Sequence, residues 1–156
     1  MNYYNKRILN LLECSYGFGV EDEMEDGNRS VAAICFLGGI ESILYFYMDV
    51  TELVFPCTSI PARVLTDRML LRLHQFCDLL TTNGEMAGFW TVEESGAGGV
   101  ELKFLAACPT QLPPEVAAFA FARAMKQADR QTQIVRQFTD QVRQAIIPSL
   151  PKKTEV

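Results

Sequence analysis

The order in which the apolar pattern changes period is the feature that most limits how this chain can fold. Helical spacing, a group of short strands, helical spacing, a two-stranded hairpin and a long helical stretch follow one another along 156 residues. No recognisable catalytic set is laid over them. The order therefore says more about architecture than about a particular partner.

Residues 3 to 15 read as a first helix, because Tyr4, Ile8, Leu11 and Leu12 fall near helical spacing and Gly17 can end it. Residues 21 to 30 are acidic and finish in Gly27-Asn28, which reads as a loop or an excursion between strands. Val31 to Leu37 reads as a strand, Gly38-Gly39 as a turn, and Ser42 to Val50 as a second strand. Its run from Ile43 to Met48 is apolar on both faces, as in a strand at the middle of a sheet or in an interface. Leu53 to Cys57 reads as a short third strand, with Pro56 pointing to an edge or a strand end.

Thr58 or Ser59 can cap the next helix, with Pro61 in its first turn, where a missing N–H costs little. Leu65, Met69, Leu73, Phe76, Cys77 and Leu80 form its apolar stripe, and Asn83-Gly84 stops it. Met86 to Glu93 and Val100 to Ala107 make a hairpin around Ser95-Gly96-Ala97-Gly98-Gly99. In its second arm Val100, Leu102, Phe104 and Ala106 point one way and Glu101 and Lys103 the other. Pro113-Pro114 opens the last helix, which runs to about Ile147 with a seam of Phe121, Met125, Ala128, Val135, Phe138, Val142 and Ile146. The chain thus reads as one domain over residues 1–147 with a polar tail over 148–156.

Composition narrows the function classes. Apolar content of 49% with 21% charged residues is that of a soluble globular domain. A net charge of −5 without a basic stripe suits neither nucleic acid nor an anionic membrane surface. The opening residues lack the apolar core and cleavage site of a signal peptide, and Ile43 to Met48 is too short to span a bilayer. A cytoplasmic location is the expectation. The five cysteines, Cys14, Cys35, Cys57, Cys77 and Cys108, are odd in number and contain no CxxC pair, so they read as buried free thiols in a reducing compartment.

Candidate chemistry is sparse. His74 and Cys77 stand one helical turn apart, but a base and a thiol on adjacent turns of one helix seldom converge on a substrate. The run Glu21-Asp22-Glu23-Met24-Glu25-Asp26-Gly27 imitates the start of an EF-hand loop, yet Met24 falls where an oxygen ligand is required and Ala33 where the bidentate Glu belongs. The glycines at 96, 98 and 99 precede a strand, with no helix N-terminus to receive a phosphate. Asn28-Arg29-Ser30 matches a glycosylation sequon and Thr154-Glu155-Val156 a PDZ ligand; both are short enough to occur by chance. No cofactor and no metal is expected.

The closest stretch to a known group runs from Leu70 to Gly84, continues through Met86-Ala87-Gly88-Phe89-Trp90-Thr91-Val92-Glu93, and includes Val100 to Leu105. A Leu-rich helix, a short polar break, a strand of Gly-Phe character, an alternating strand and Gln127-Ala128-Asp129 in the closing helix follow one another. This layout resembles the class I type III secretion chaperones (the CesT/Tir type) and the YbjN-like proteins. The resemblance implies an α+β fold: one twisted, mostly antiparallel sheet with helices packed on it, in the order α-β-β-β-α-β-β-α. It also implies a non-enzymatic homodimer that holds an extended segment of a partner polypeptide, a secreted effector or a regulatory target, in apolar grooves and by strand addition. The residues it makes candidates for that contact are Tyr45, Tyr47, Phe55, Phe89 and Trp90. The alternatives are a YbjN-like regulatory protein with an unknown partner, or a small enzyme using Cys77, His74 or the carboxylates of Glu93 and Glu94.

Overall fold

Among the described residues three helices pack against one antiparallel sheet whose strands lie in the order β1-β2-β3-β4-β6-β5. The computed structural model describes residues 2–25, 31–61, 65–83, 87–95 and 98–146. Along the chain come α1 (Tyr3–Tyr16), β1 (Gly19–Glu25), β2 (Val31–Leu37), β3 (Ile40–Phe46), β4 (Val50–Ile60), α2 (Asp67–Asn83), β5 (Phe89–Glu94), β6 (Val100–Pro109) and α3 (Pro114–Ile146). The α+β class and the antiparallel sheet agree with expectation. Four strands, not three, separate the first two helices.

The additional strand is β1. Its acidic residues from Glu21 read as a loop or an excursion between strands, yet the segment pairs antiparallel with β2 from Gly19↔Phe36 to Glu25↔Val31, with a register shift between Glu21 and Glu23. It is an edge strand, and charge on an edge is a common defence against pairing with another chain. The remainder of that acidic stretch, from Asp26, together with the sequon and the C-terminal tail, lies outside the described residues.

Local chemistry sets the helix ends. The Asn2 side chain accepts from the Asn5 N–H at 2.8 Å and caps α1. At the other end Gly17 takes a left-handed conformation at φ 75° and returns its N–H to the Leu12 carbonyl. For α2 the cap is Thr66, whose Oγ1 accepts from the Met69 N–H at 3.2 Å. Thr58 and Ser59 do not cap it, because both belong to β4 opposite Leu102 and Glu101 of β6. Pro61 and Leu65 also precede the helix.

β3 ends at Phe46 instead of continuing to Val50, since the chain reverses through Tyr47–Asp49 with the Tyr47 N–H donating to the Val50 carbonyl at 2.9 Å. β4 is an interior strand, contrary to the edge reading of Pro56. The proline is tolerated because β3 pairs with β4 only from Ile43↔Val54 to Phe46↔Thr51. Pro56 lies beyond that stretch, at a register shift against β6 between Pro56 and Thr58. There α3 holds β4 instead: Thr58 Oγ1 and Thr139 Oγ1 are 3.0 Å apart, and the Arg143 guanidinium donates to the Ser59 carbonyl.

One face of the sheet carries the core. Ala33, Cys35, Leu44, Phe46, Leu53, Phe55, Leu102, Phe104 and Ala106 are buried there against Ile8 and Leu12 of α1, Leu73 and Cys77 of α2, and Phe121, Met125, Ala128 and Val135 of α3. Each large side chain so buried contributes roughly 1.5–3 kcal/mol. Phe76 and Phe138 stack between α2 and α3 with ring centroids 3.9 Å apart. Among the described residues no helix is long and apolar enough to cross a membrane.

Candidate functional site

Strand alternation leaves a second set of side chains on the face away from the helices, and the register aligns them. Ile34 of β2 is opposite Ile43 of β3, Ile43 opposite Val54 of β4, Val54 opposite Leu105 of β6, and Leu105 opposite Phe89 of β5. These five residues form one apolar row across five adjacent strands. The first four are half-buried, while Phe89 is 47% exposed. Residues on either side of each one in sequence belong to the core face, as the buried-intermediate alternation of β3, β4 and β6 shows.

Two tyrosines extend the row. Tyr45 lies one register step along, opposite Ala32 and Glu52, and Tyr47 stacks on it with centroids 6.0 Å apart and planes 15° from parallel. Tyr45, Tyr47 and Phe89 are thus three of the expected contact residues that the fold brings to the helix-free face.

Phe55 and Trp90 are not on it. Each is 3% exposed, and each belongs to the opposite face, where Trp90 meets Phe55 and Phe104 edge to face at 6.3 and 5.3 Å. They are core residues, and their placement corrects their assignment as partner contacts. Trp90 is also fixed by polar bonds: its Nε1–H donates to Gln131 Oε1 at 2.8 Å and its N–H to Thr81 Oγ1 at 2.8 Å. Gln131 in turn donates to the Leu80 carbonyl at 3.1 Å, and buried Gln127 accepts the Ala87 N–H at 2.9 Å. Gln127 of the resemblance motif therefore ties α3 to the entry of β5.

The helix-free face is acidic. Glu21, Glu41, Glu52, Glu93 and Glu101 share it by alternation and register with the apolar row, and among the described residues the one strand cation there is Lys103. Lys103 Nζ sits 3.2 Å from both Glu93 and Glu101 carboxylates. Burial alone would lower its pKa, but the hydrogen bonds and charge of Glu101 and Glu93 outweigh that and hold it above the ordinary value. Where β3 stops pairing with β4, a cleft of about 430 Å³ opens between Ile34, Ile43, Phe55 and Pro56, with Glu41 and Arg136 in its lining.

The residues of the enzymatic alternative do not converge. His74 is exposed, whereas Cys77 is 2% exposed and its thiol is pushed up to about 12 by burial, with Asp78 adding to the shift. A thiol so protonated is a poor nucleophile. Glu93 shares the helix-free face with Lys103, while Glu94 alternates to the other side. Cys35, Cys77 and Cys108 are buried as expected; Cys14 is exposed and Cys57 intermediate, which corrects the expectation for those two. Among the described residues no group of three or more His, Cys, Asp or Glu is placed to hold a metal ion.

The apolar row is invisible to sequence reading, since it exists only once four registers are fixed. No family model matches the chain, and no curated protein does. Among solved structures it is similar to the crystal structure of an uncharacterized protein from Methanothermobacter thermautotrophicus, with a TM-score of 0.56 and 8% identity. That likeness covers 86% of this chain and 97% of the other, and it is a likeness of fold.

Proposed function

We propose that this protein is a binding module that holds a partner polypeptide on the helix-free face of its sheet, without chemical change to it. The row Ile34–Ile43–Val54–Leu105–Phe89 carries the reading. A contiguous apolar strip on an otherwise charged surface marks an interaction site more often than an accident of composition. Exposed aromatic side chains such as Phe89 and Tyr47 supply a disproportionate share of interface energy. The chaperone-like layout of the chain supports the same reading, and the cytoplasm is its natural setting, in keeping with the odd, well-separated cysteines.

The test is site-specific photo-crosslinking in the native host, with a photoreactive phenylalanine analogue at Phe89 and, as a control, at exposed Leu71 on α2. A defined polypeptide joined through position 89 and not through 71 supports the reading. Equal labelling at the two positions overturns it. A product of two copies of this chain would identify the occupant as the homodimer implied by the family resemblance.

A further inference from the structure

The charge around the apolar row limits what can lie on it. Among the described residues five carboxylates on the helix-free face, those of Glu21, Glu41, Glu52, Glu93 and Glu101, stand against one strand cation, Lys103, which Glu93 and Glu101 already neutralise. Among the described residues every other Lys and Arg lies on α1, α2 or α3. One of them, Arg136, lines the cleft that also holds Glu41. The sheet is thus acidic where it is bare, and the other positive charge of the described residues sits with the helices. Two copies placed face to face would oppose carboxylate to carboxylate around the apolar row, an arrangement that costs both desolvation and repulsion.

From this we infer that the row takes a cationic polypeptide segment, one that carries Lys or Arg among its apolar side chains. The inference rests on the binding reading above and names the chemistry of the partner. Five strands at the usual spacing make the row about 19 Å wide, which roughly six residues of extended chain would cross. Apolar side chains of such a segment fill the strip from Ile34 to Phe89. Its cations meet Glu41 and Glu52, for which no ion pair is found among the described residues on this face. The same carboxylates reject acidic segments, so charge supplies selection and the apolar row supplies adhesion.

The experiment measures binding of three synthetic twelve-residue peptides to the full chain by fluorescence anisotropy. They combine valine and phenylalanine with lysine, with serine or with glutamate, in one common non-alternating order. The expected result is that the lysine peptide binds roughly tenfold tighter than the serine peptide, loses that advantage in high salt, and that the glutamate peptide does not bind. In the double variant Glu41→Gln/Glu52→Gln the lysine peptide should weaken roughly fivefold while the serine peptide is unchanged. Leu105→Asp and Phe89→Ser, checked for folding by circular dichroism, should weaken both.

If the serine or glutamate peptide binds as tightly as the lysine one, and Leu105→Asp still abolishes binding, the cationic partner is overturned while the binding face stands. If no peptide binds and sedimentation shows a dimer that Leu105→Asp dissociates, the occupant is a second copy and the cationic partner is again overturned. If no peptide binds and the chain is a monomer, both readings fall.

Discussion

The indole N–H of Trp90 donates to the side-chain oxygen of Gln131 at 2.8 Å, joining strand β5 to the middle of α3. The same glutamine donates to the Leu80 carbonyl at the end of α2. Its amide thus ties both elements to α3.

Replacing Gln131 by leucine would remove the bonds it makes to the Trp90 indole N–H, the Leu80 carbonyl and the buried Gln127 Nε2 in a half-buried place. An unmatched buried polar group costs about 1–3 kcal/mol. Gln131→Leu should lower stability by about 2–4 kcal/mol in urea unfolding, followed by the fluorescence of Trp90, the single tryptophan. A loss under about 0.5 kcal/mol would show that the bond is dispensable.

Leu53 and Val54 are neighbours on β4 and face opposite ways, the first fully buried and the second half-buried in the apolar row. Leu53→Ala should cost about 2–5 kcal/mol, as cavities in a packed core do. Val54→Thr should change stability by less than about 1 kcal/mol. Equal costs, measured on the same unfolding curves, would mean that the helix-free face is covered in the folded chain.

Gly88 precedes β5 against the ring of Phe104, and a methyl group there would also come 2.7 Å from the Leu105 carbonyl oxygen. Backbone cannot yield as a flexible side chain can. Gly88→Ala should therefore destabilise by about 1–3 kcal/mol and shift the start of β5, visible as altered amide exchange from Phe89 to Val92. Unchanged exchange would contradict the close packing.

Burial pushes the thiols of Cys35 and Cys77 up to about 12 from an ordinary value of 9.0. In the unfolded chain both thiols ionise near the ordinary value and release protons that the folded chain retains. The sign follows: these groups leave stability unaffected below about pH 9 and remove it as the pH climbs from there toward 12. Unfolding free energy should fall by up to roughly 1.4 kcal/mol per pH unit for each thiol. Cys35→Ala/Cys77→Ala should flatten that slope. At pH 8, iodoacetamide should modify exposed Cys14 first and leave Cys35 and Cys77 unmodified until the chain unfolds.

Where a segment faces solvent on one side and core on the other, sequence reading located it well. β6 alternates from Val100 to Ala106 as expected, and α3 begins and ends within a residue of expectation. β1 escaped because an edge strand gains its structure from pairing with β2, a tertiary fact, while its own side chains resemble a loop. The second face of the sheet posed a different difficulty. β3, β4 and β5 are apolar at successive positions, so alternation cannot say which set the helices cover. Phe55 and Trp90 were therefore indistinguishable from Tyr45 and Phe89 until the strands were in register. Gly88, named in the sequence only as part of a Gly-Phe pair, owes its place to the ring of Phe104, sixteen positions away.

The dependence of β4 on α3 has a consequence during synthesis. Ser59 and Thr58 gain their second neighbours only from Arg143 and Thr139, more than eighty positions downstream. A chain still being made has all its strands before Thr139 and Arg143 follow, and in that interval the part of the core face that α3 covers is bare. Through that interval the partly made chain exposes apolar surface that the folded one buries against α3.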